Sequence, residues 1–228
     1  LEFRRVLFRS QIPGKISTVA YKEGYDLVGY FTKENGEGVK FFNADGTGAN
    51  VWNIAEDTIL YAYFAADQVN VTINYHKMNL DGTTYALFES ETAKGEADAP
   101  KEFAPSKNYV GFTAPDAKTI TVSADGSSVI DFYYTRNKYS VTVSKGTGIR
   151  EVTPSTGSLE GEYYFESELT LSATTINGYR FGKFTAVSGL TDANLTASQK
   201  SVTFTIPASN VEIGVSAIAN QYKVRSEE

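Results

Sequence analysis

The sequence has no cysteine, one histidine and one tryptophan in 228 residues. The absence of cysteine excludes disulfides, thiolate nucleophiles and Cys-type zinc sites. The single histidine, His76, leaves no His-rich metal cluster, and its polar neighbours indicate an exposed strand end. No stretch approaches the ~18 apolar residues of a membrane-spanning helix. The sequence therefore predicts no metal, no cofactor and no membrane span.

A basic surface and a catalytic constellation are also missing. The formal net charge is −6 and the pI is about 5.0, which argues against a nucleic-acid partner, because such partners are bound through basic patches. One histidine in a polar strand cannot complete a Ser-His-Asp triad. The segment Lys145–Gly148 is too short for a phosphate loop. We therefore expect no catalytic residues and predict that the chain is not an enzyme.

Alternation of apolar and polar residues recurs along the chain and is typical of strands with one buried face. Val69, Val71 and Ile73, for example, alternate with polar neighbours. Tyr, Phe, Val and Thr, which favour strands, are abundant. The sequence predicts a mainly β fold.

Three Asp-Gly pairs punctuate these strands, at residues 45–46, 81–82 and 125–126. Glycine accepts the positive φ that tight turns require, so the pairs predict turns between strands. The alternative is a calcium loop beginning at Asn43 or Asn79. An EF-hand loop needs a glutamate at its twelfth position, where this chain has Ile54 and Ser90.

Helix is expected only in two short segments, 50–56 and 192–199, the second with Asp192 as its N-cap. Residues 93–107 are predicted to form a loop, because Pro100 and Pro105 interrupt them. The glutamates of residues 160–168 predict a solvated acidic edge that discourages strand pairing.

A short polar joint precedes an alternating strand at three places, near Asp67, Asn137 and Asn220. These joints divide the chain into three tandem modules of a usual domain size. The third joint opens a strand without a downstream partner, so we expect the parent protein to continue. Because the joints are short and polar, we predict an elongated arrangement of the modules.

Residues 11–67 resemble a truncated internalin-type B-repeat, also called the Listeria–Bacteroides repeat. The resemblance is carried by segment 24–31, the turn at 35–38 and the closing strand at 60–64. Family members often carry Trp where Tyr30 stands.

Residues 138–219 resemble the divergent bacterial form of that repeat, through segments 178–181 and 204–211, with Phe184 in place of the usual Trp. Residues 68–137 resemble a mucin-binding-protein-like module, through the turns at 79–83 and 125–129. These resemblances imply small β-grasp-like folds, an extracellular setting at the bacterial cell surface and tandem arrays, with no catalytic residues to transfer.

The two ends differ from the rest of the chain. Residues 1–10 form a basic, apolar patch that resembles sequencing-adaptor read-through from a metagenomic fragment, the alternative being a natural basic arm. Residues 220–228 combine the start of a next module with a tail that resembles the opposite adaptor.

We therefore predict a structural spacer, a monomeric segment of an adhesin-like protein. The alternative is a module that binds a host glycan or surface protein through exposed aromatics, with Trp52, Tyr163 and Tyr164 as candidate contacts. Core packing is the other interpretation of those three side chains. An internal isopeptide bond from Lys77 or Lys145 is a further hypothesis, to be checked by intact mass.

Overall fold

The computed structural model describes residues 14–223 and is built almost entirely from strands and turns. The prediction of a mainly β fold is confirmed. The strands are β1 (Tyr25–Phe31), β2 (Lys40–Asn43), β3 (Tyr61–Ala66), β4 (Gln68–Met78), β5 (Tyr85–Glu96), β6 (Pro100–Phe103), β7 (Phe112–Thr113), β8 (Lys118–Thr121), β9 (Ser128–Arg136), β10 (Lys138–Lys145), β11 (Ile149–Pro154), β12 (Glu162–Tyr164), β13 (Glu168–Thr175), β14 (Tyr179–Ser188), β15 (Thr196–Ser198), β16 (Ser201–Thr205) and β17 (Val211–Ala219).

Helix is limited to two three-residue 3₁₀ turns in the described part of the chain, Glu34–Gly36 and Asp192–Asn194. The predicted helix at 50–56 is absent, and only the first turn of the one at 192–199 forms. The cap prediction for Asp192 is wrong: its carboxylate accepts the N–H of Ala186 in β14 at 2.6 Å. Thr191 occupies the cap position instead.

The predicted loop at 93–107 is also wrong in its first part. Strand β5 continues to Glu96, and β6 pairs with β8 in a two-stranded sheet. Pro100 is the first residue of β6, where the N–H that proline lacks is not needed for the ladder. A short strand therefore forms here although the segment begins with proline.

The remaining strands form one three-stranded and three four-stranded sheets, in the orders β2-β1-β3, β5-β4-β9-β7, β12-β10-β17-β14 and β11-β13-β16-β15. Strands β10 and β17 are parallel. The last two sheets line one core, because alternate residues of both turn inward. This core includes Val141, Leu169, Leu171, Val202, Phe204, Ile206, Ile213 and Val215.

The three-stranded sheet has a smaller core dominated by aromatic rings. Tyr30, Phe41, Phe42, Trp52 and Leu60 are buried together. The hydroxyl of Tyr30 accepts the N–H of Ala20 at 2.6 Å, so its polar atom is satisfied inside the core.

The chain divides into two compact units. One takes residues 14–74 with Glu89–Ala104 and Asp116–Asp131, and the other takes Tyr75–Phe88, Pro105–Pro115 and residues 132–223. Asp67 lies inside the first unit and Asn137 inside the second. The predicted module boundaries at 67/68 and 137/138 stay predictions. The adaptor-like segment 1–10 lies outside the described residues, as does most of the predicted tail.

Candidate functional site: the joints between strands

The joint at Asn137 is a single residue between β9 and β10, and both of its backbone groups are bonded. Its N–H donates to the carbonyl of Gly111 at 2.9 Å, and its own carbonyl accepts the N–H of Phe165 at 2.9 Å. The side-chain oxygen accepts the hydroxyl of Thr113 at 2.6 Å. Asn137 therefore ties residues 111–113 to residue 165, with little freedom for the backbone to pivot.

Arg136, the residue before the joint, reinforces it. The guanidinium donates to the carbonyls of Met78 at 3.0 Å and Phe165 at 2.9 Å, and to the carboxylate of Glu166 at 2.6 Å. It also lies 4.7 Å from the ring centre of Phe112. Only 10% of the Arg136 side chain is exposed, whereas 55% of the Glu166 side chain is. The planar fork of arginine suits such a set of divergent acceptors better than lysine would.

Aromatic side chains approach the backbone of this joint so closely that two positions require glycine. Gly111 has a φ of +77°, and a Cβ there would lie 2.1 Å from a ring carbon of Phe165. The rings of Phe112 and Phe165 meet edge to face with centroids 6.0 Å apart. Gly82 is similarly crowded, since a Cβ there would lie 2.2 Å from the hydroxyl oxygen of Tyr164.

The joint at Asp67, between β3 and β4, has the same backbone arrangement. Its N–H donates to the carbonyl of Gly24 at 2.9 Å, and its carbonyl accepts the N–H of Ala97 at 3.0 Å. Gly24 has a φ of +74°, and a Cβ there would lie 2.4 Å from the carbonyl oxygen of Ala124. The hydroxyl of Tyr25 donates to Asp98 at 2.7 Å.

Each joint carbonyl accepts a hydrogen bond from a turn, and the two turns have the same conformation. We call residues 97–99 and 165–167 the left-handed turns, because their middle residues, Asp98 and Glu166, have φ values of +57° and +66°. In the first turn, Val122 accepts from Asp98 and donates to Ala99; in the second, Ile206 accepts from Glu166 and donates to Ser167. The two joints therefore share four equivalent backbone hydrogen bonds, two at the joint residue and two in the left-handed turn.

A cleft of about 560 Å³ lies beside Arg136 in the second unit. Leu87, Phe88 and Val110 line it and are 58%, 57% and 76% exposed. The amine of Lys77 lies 3.2 Å from the ring centre of Phe88 and 4.0 Å from that of Tyr109. The volume falls in the usual range for small ligands, and cationic and aromatic groups are brought together here.

The three aromatic residues predicted to contact a ligand do not form one site. Trp52 is 7% exposed in the aromatic core, and Tyr163 is 9% exposed in the core of the paired sheets. Trp52 donates its indole N–H to the carbonyl of Ile54 at 2.8 Å, and burial raises the pKa of the Tyr163 phenol. Tyr164 is half-buried under the amine of Lys138. The rings of Trp52 and Tyr163 thus fill cores, in line with the core-packing interpretation, and the ring of Tyr164 is partly exposed. The role of the three side chains as ligand contacts stays a prediction.

The Asp-Gly pairs form turns, as predicted. Gly46, Gly82 and Gly126 all have positive φ. The carboxylate of Asp81 accepts from Thr83 and Thr84, and these bonds lower its pKa to about 2. Bonds from Thr47 and Ser127 lower the pKa values of Asp45 and Asp125 in the same way.

The carboxylates expected in a calcium loop are thus engaged with their own turns. Within residues 14–223 no group of three or more acidic or histidine side chains is placed to hold a metal ion. No helix of that described part is long and apolar enough to cross a membrane. Glu160, Glu162 and Glu168 are exposed. The acidic-edge prediction is nevertheless wrong for Glu168, because its strand β13 pairs with both β11 and β16, and Glu166 pairs with Arg136.

Sequence reasoning located the joints but missed their partners. The left-handed turns Ala97-Asp98-Ala99 and Phe165-Glu166-Ser167 have no residue type in common, so no repeat was visible. A signal was present elsewhere: a glycine followed by an aromatic precedes each joint, at Gly24, Gly111 and Gly178.

Residues 139–218 match the family model of the divergent InlB B-repeat domain. No curated protein sequence is significantly similar to the chain. The resemblances of residues 11–67 and 68–137 stay predictions. Over residues 139–218, which hold both four-stranded sheets of the paired-sheet core, the chain is similar to the divergent InlB B-repeat domain.

Proposed function

We infer that this chain is a spacer segment of a bacterial cell-surface protein, holding other parts of that protein at a set distance. The single observation that carries the proposal is the joint at Asn137, where one residue separates two strands and both of its backbone groups are bonded. A spacer must transmit orientation from one element to the next, and a joint without a flexible linker does so.

Two further facts support a spacer. The match over residues 139–218 is to a repeat domain, and repeat domains commonly form arrays in which each unit contacts its neighbours. The acidic net charge keeps such a segment soluble and discourages association. An extracellular setting and membership in an adhesin-like protein belong to the same proposal.

The spacer proposal is tested by measuring whether the joint at Asn137 is rigid. The chain has no native cysteine, so Leu87→Cys and Val187→Cys, at positions 58% and 56% exposed, take spin labels at two defined sites of the second unit. We expect one narrow distance distribution by pulsed electron resonance. Arg136→Ala should broaden it and the exposed control Arg150→Ala should not. A broad distribution in the otherwise unaltered labelled chain would contradict the proposal.

The cleft beside Arg136 favours a second candidate function, binding of a host glycan or surface protein. Its exposed Leu87, Phe88 and Val110 form the kind of apolar surface that marks interaction sites. The test is a glycan and host-protein array probed with the chain, with Phe88→Ala and with the control Val187→Ser. Binding lost only in Phe88→Ala would favour this function over the spacer, and turnover of an array component would overturn both.

A further inference from the structure

Strand β5 lies at one edge of the sheet β5-β4-β9-β7, and in the described part of the chain β4 is the one strand that pairs with it. An edge strand directs the N–H and C=O groups of every second residue away from its sheet, where another chain can pair with them. Residues 85–88 of this strand include no charged side chain and no proline, the usual means by which proteins discourage such pairing. This part of β5 is therefore open to an added strand.

The same segment exposes apolar side chains on both faces of the strand. Ala86, Leu87 and Phe88 are consecutive and all exposed, Leu87 at 58% and Phe88 at 57%. Consecutive residues of a strand point to opposite faces, so neither face of this segment is covered. Contiguous exposed apolar side chains mark interaction surfaces, and here they accompany an open strand edge.

The cleft of about 560 Å³ beside Arg136 adjoins this edge, because residues 86–88 form part of its lining. Tyr109, Val110 and Phe112 contribute further apolar surface to it, and Val110 is 76% exposed. A strand added to a sheet edge gains affinity from backbone hydrogen bonds and specificity from pockets that receive alternate side chains. The edge of β5 and the cleft together provide both kinds of contact.

The charges at the cleft indicate which strand fits. Its charged lining residues are Lys77, Arg136 and Glu166, two cations and one carboxylate, in a chain whose net charge is −6. The amine of Lys77 lies 3.2 Å from the ring centre of Phe88, so positive charge stands directly beside the apolar surface. Acidic residues next to apolar ones complement this arrangement. The net charge of the chain disfavours a second copy as the occupant.

We propose that residues 85–88 and the adjoining cleft bind an extended peptide segment of a partner protein, in which apolar and acidic residues alternate. The backbone of the peptide pairs with the outward N–H and C=O groups of β5. An apolar side chain enters the cleft, and an acidic side chain approaches Lys77. The proposal rests on the second candidate function given above and narrows its ligand to a peptide.

The test titrates the full chain with an acetylated and amidated peptide of about eight residues, a usual strand length, in which phenylalanine and glutamate alternate. Hydrogen exchange of residues 85–88 is followed by NMR. At saturation we expect the outward amides of this segment to exchange about tenfold more slowly, because the peptide carbonyls accept their hydrogens. Added salt should weaken the binding, and Lys77→Gln should weaken it about threefold, because both reduce the attraction of the acidic side chains.

Two further peptides test the strand pairing itself. Each is N-methylated at alternate residues, the two sets being complementary. An added strand bonds to a sheet edge through only every second residue, so one of these peptides should bind and the other should not. Binding of both, or binding that leaves the exchange of residues 85–88 unchanged, would overturn the proposal.

The remaining controls separate this proposal from its alternatives. A peptide of alternating phenylalanine and lysine should bind more weakly, and equal binding would overturn the proposal, as would no binding of the acidic peptide. Phe88→Ala should weaken the binding and the exposed control Val187→Ser should not. Protection of residues 85–88 that rises with protein concentration in the absence of peptide would assign the edge to a second copy and overturn it too. If array glycans bind through Phe88 while the peptide does not, the second candidate function stands and only this proposal fails.

Discussion

The joints at Asp67 and Asn137 share one backbone arrangement and fill it with side chains of different size and charge. The first places Ala97 at the docked position and adds a bond from Tyr25 to Asp98. The second places Phe165 there and adds the guanidinium of Arg136. The hydrogen-bonded backbone is thus the common element, and the side chains determine how tightly each joint is packed.

This difference predicts which substitutions should destabilise each joint. The joint at Asn137 is crowded and charged, so it should be damaged both by added volume and by lost donors. The joint at Asp67 has small residues, Ala97 and Ala124, at its close contacts, and its side-chain hydrogen bonds, such as the one from Tyr25 to Asp98, are exposed. We expect the second compact unit to lose more stability than the first when its joint is altered.

The largest effect is expected for Gly111→Ala. The new Cβ must displace the ring of Phe165 and also adopt a φ of +77°, so the loss in free energy of unfolding should be roughly 2–4 kcal/mol. Gly178→Ala is the matched control, since its φ is +86° but its Cβ meets nothing within 4 Å, and it should cost about 1 kcal/mol. Urea unfolding of both variants measures the difference. Equal losses would show that the approach of Phe165 is unimportant.

Arg136→Ala should rank second. It removes the donor from the carbonyls of Met78 and Phe165 in a largely buried position, at a cost of about 2–3 kcal/mol in unfolding free energy. The exposed Arg150→Ala serves as control and should change stability by less than about 0.5 kcal/mol. A similar small effect of both changes would contradict the account of Arg136.

Glu166→Gln tests the charge alone and should have a smaller effect. The Glu166 side chain is 55% exposed, so solvent screens its pairing with Arg136 and the loss should stay below about 1 kcal/mol. The measured difference from the unaltered chain should shrink further in high salt, because added ions screen exposed pairs. A loss that does not depend on salt would assign the contribution of Glu166 to its backbone conformation instead.

The smallest effect is expected at Asp81, whose carboxylate accepts hydrogen bonds from Thr84 and Thr83 of its own turn. Turn hydrogen bonds lower its folded-state pKa from 3.8 to about 2. A depressed carboxyl pKa contributes stability above the unfolded pKa, and that contribution is lost as the pH falls from about 4 towards 2. A carboxyl titration by NMR checks the pKa directly, and Asp81→Asn should remove this part of the pH dependence. A titration midpoint near 3.8 would contradict the turn geometry.

The strands were largely predictable from the sequence because alternation marks a half-buried strand wherever it occurs. Residues 69–73 and 211–215 follow that pattern and lie in β4 and β17. The extension of β5 to Glu96 is not visible in the sequence because its alternation carries few apolar residues, and β6 forms because Pro100, as the first residue of a strand, leaves the ladder intact. Both errors come from reading local chemistry where sheet pairing decides.

The candidate site was only half predictable. Each joint has a local polar signature, so Asp67, Asn137 and Asn220 could be found. Their partners lie far along the chain and are bonded through backbone atoms, which almost every residue type can supply. The burial of Trp52 and Tyr163 was equally hidden, since an aromatic ring suits a core and a binding surface alike.

Hydrogen exchange at the Phe165 amide tests the central claim of a rigid joint most directly, because this N–H donates to the carbonyl of Asn137. If the joint opens only when the second unit unfolds, this amide should exchange as slowly as the core amides of β13 and β16. Exchange at the rate of an unprotected loop amide, while those core amides stay protected, would show that the joint opens independently and would contradict the account.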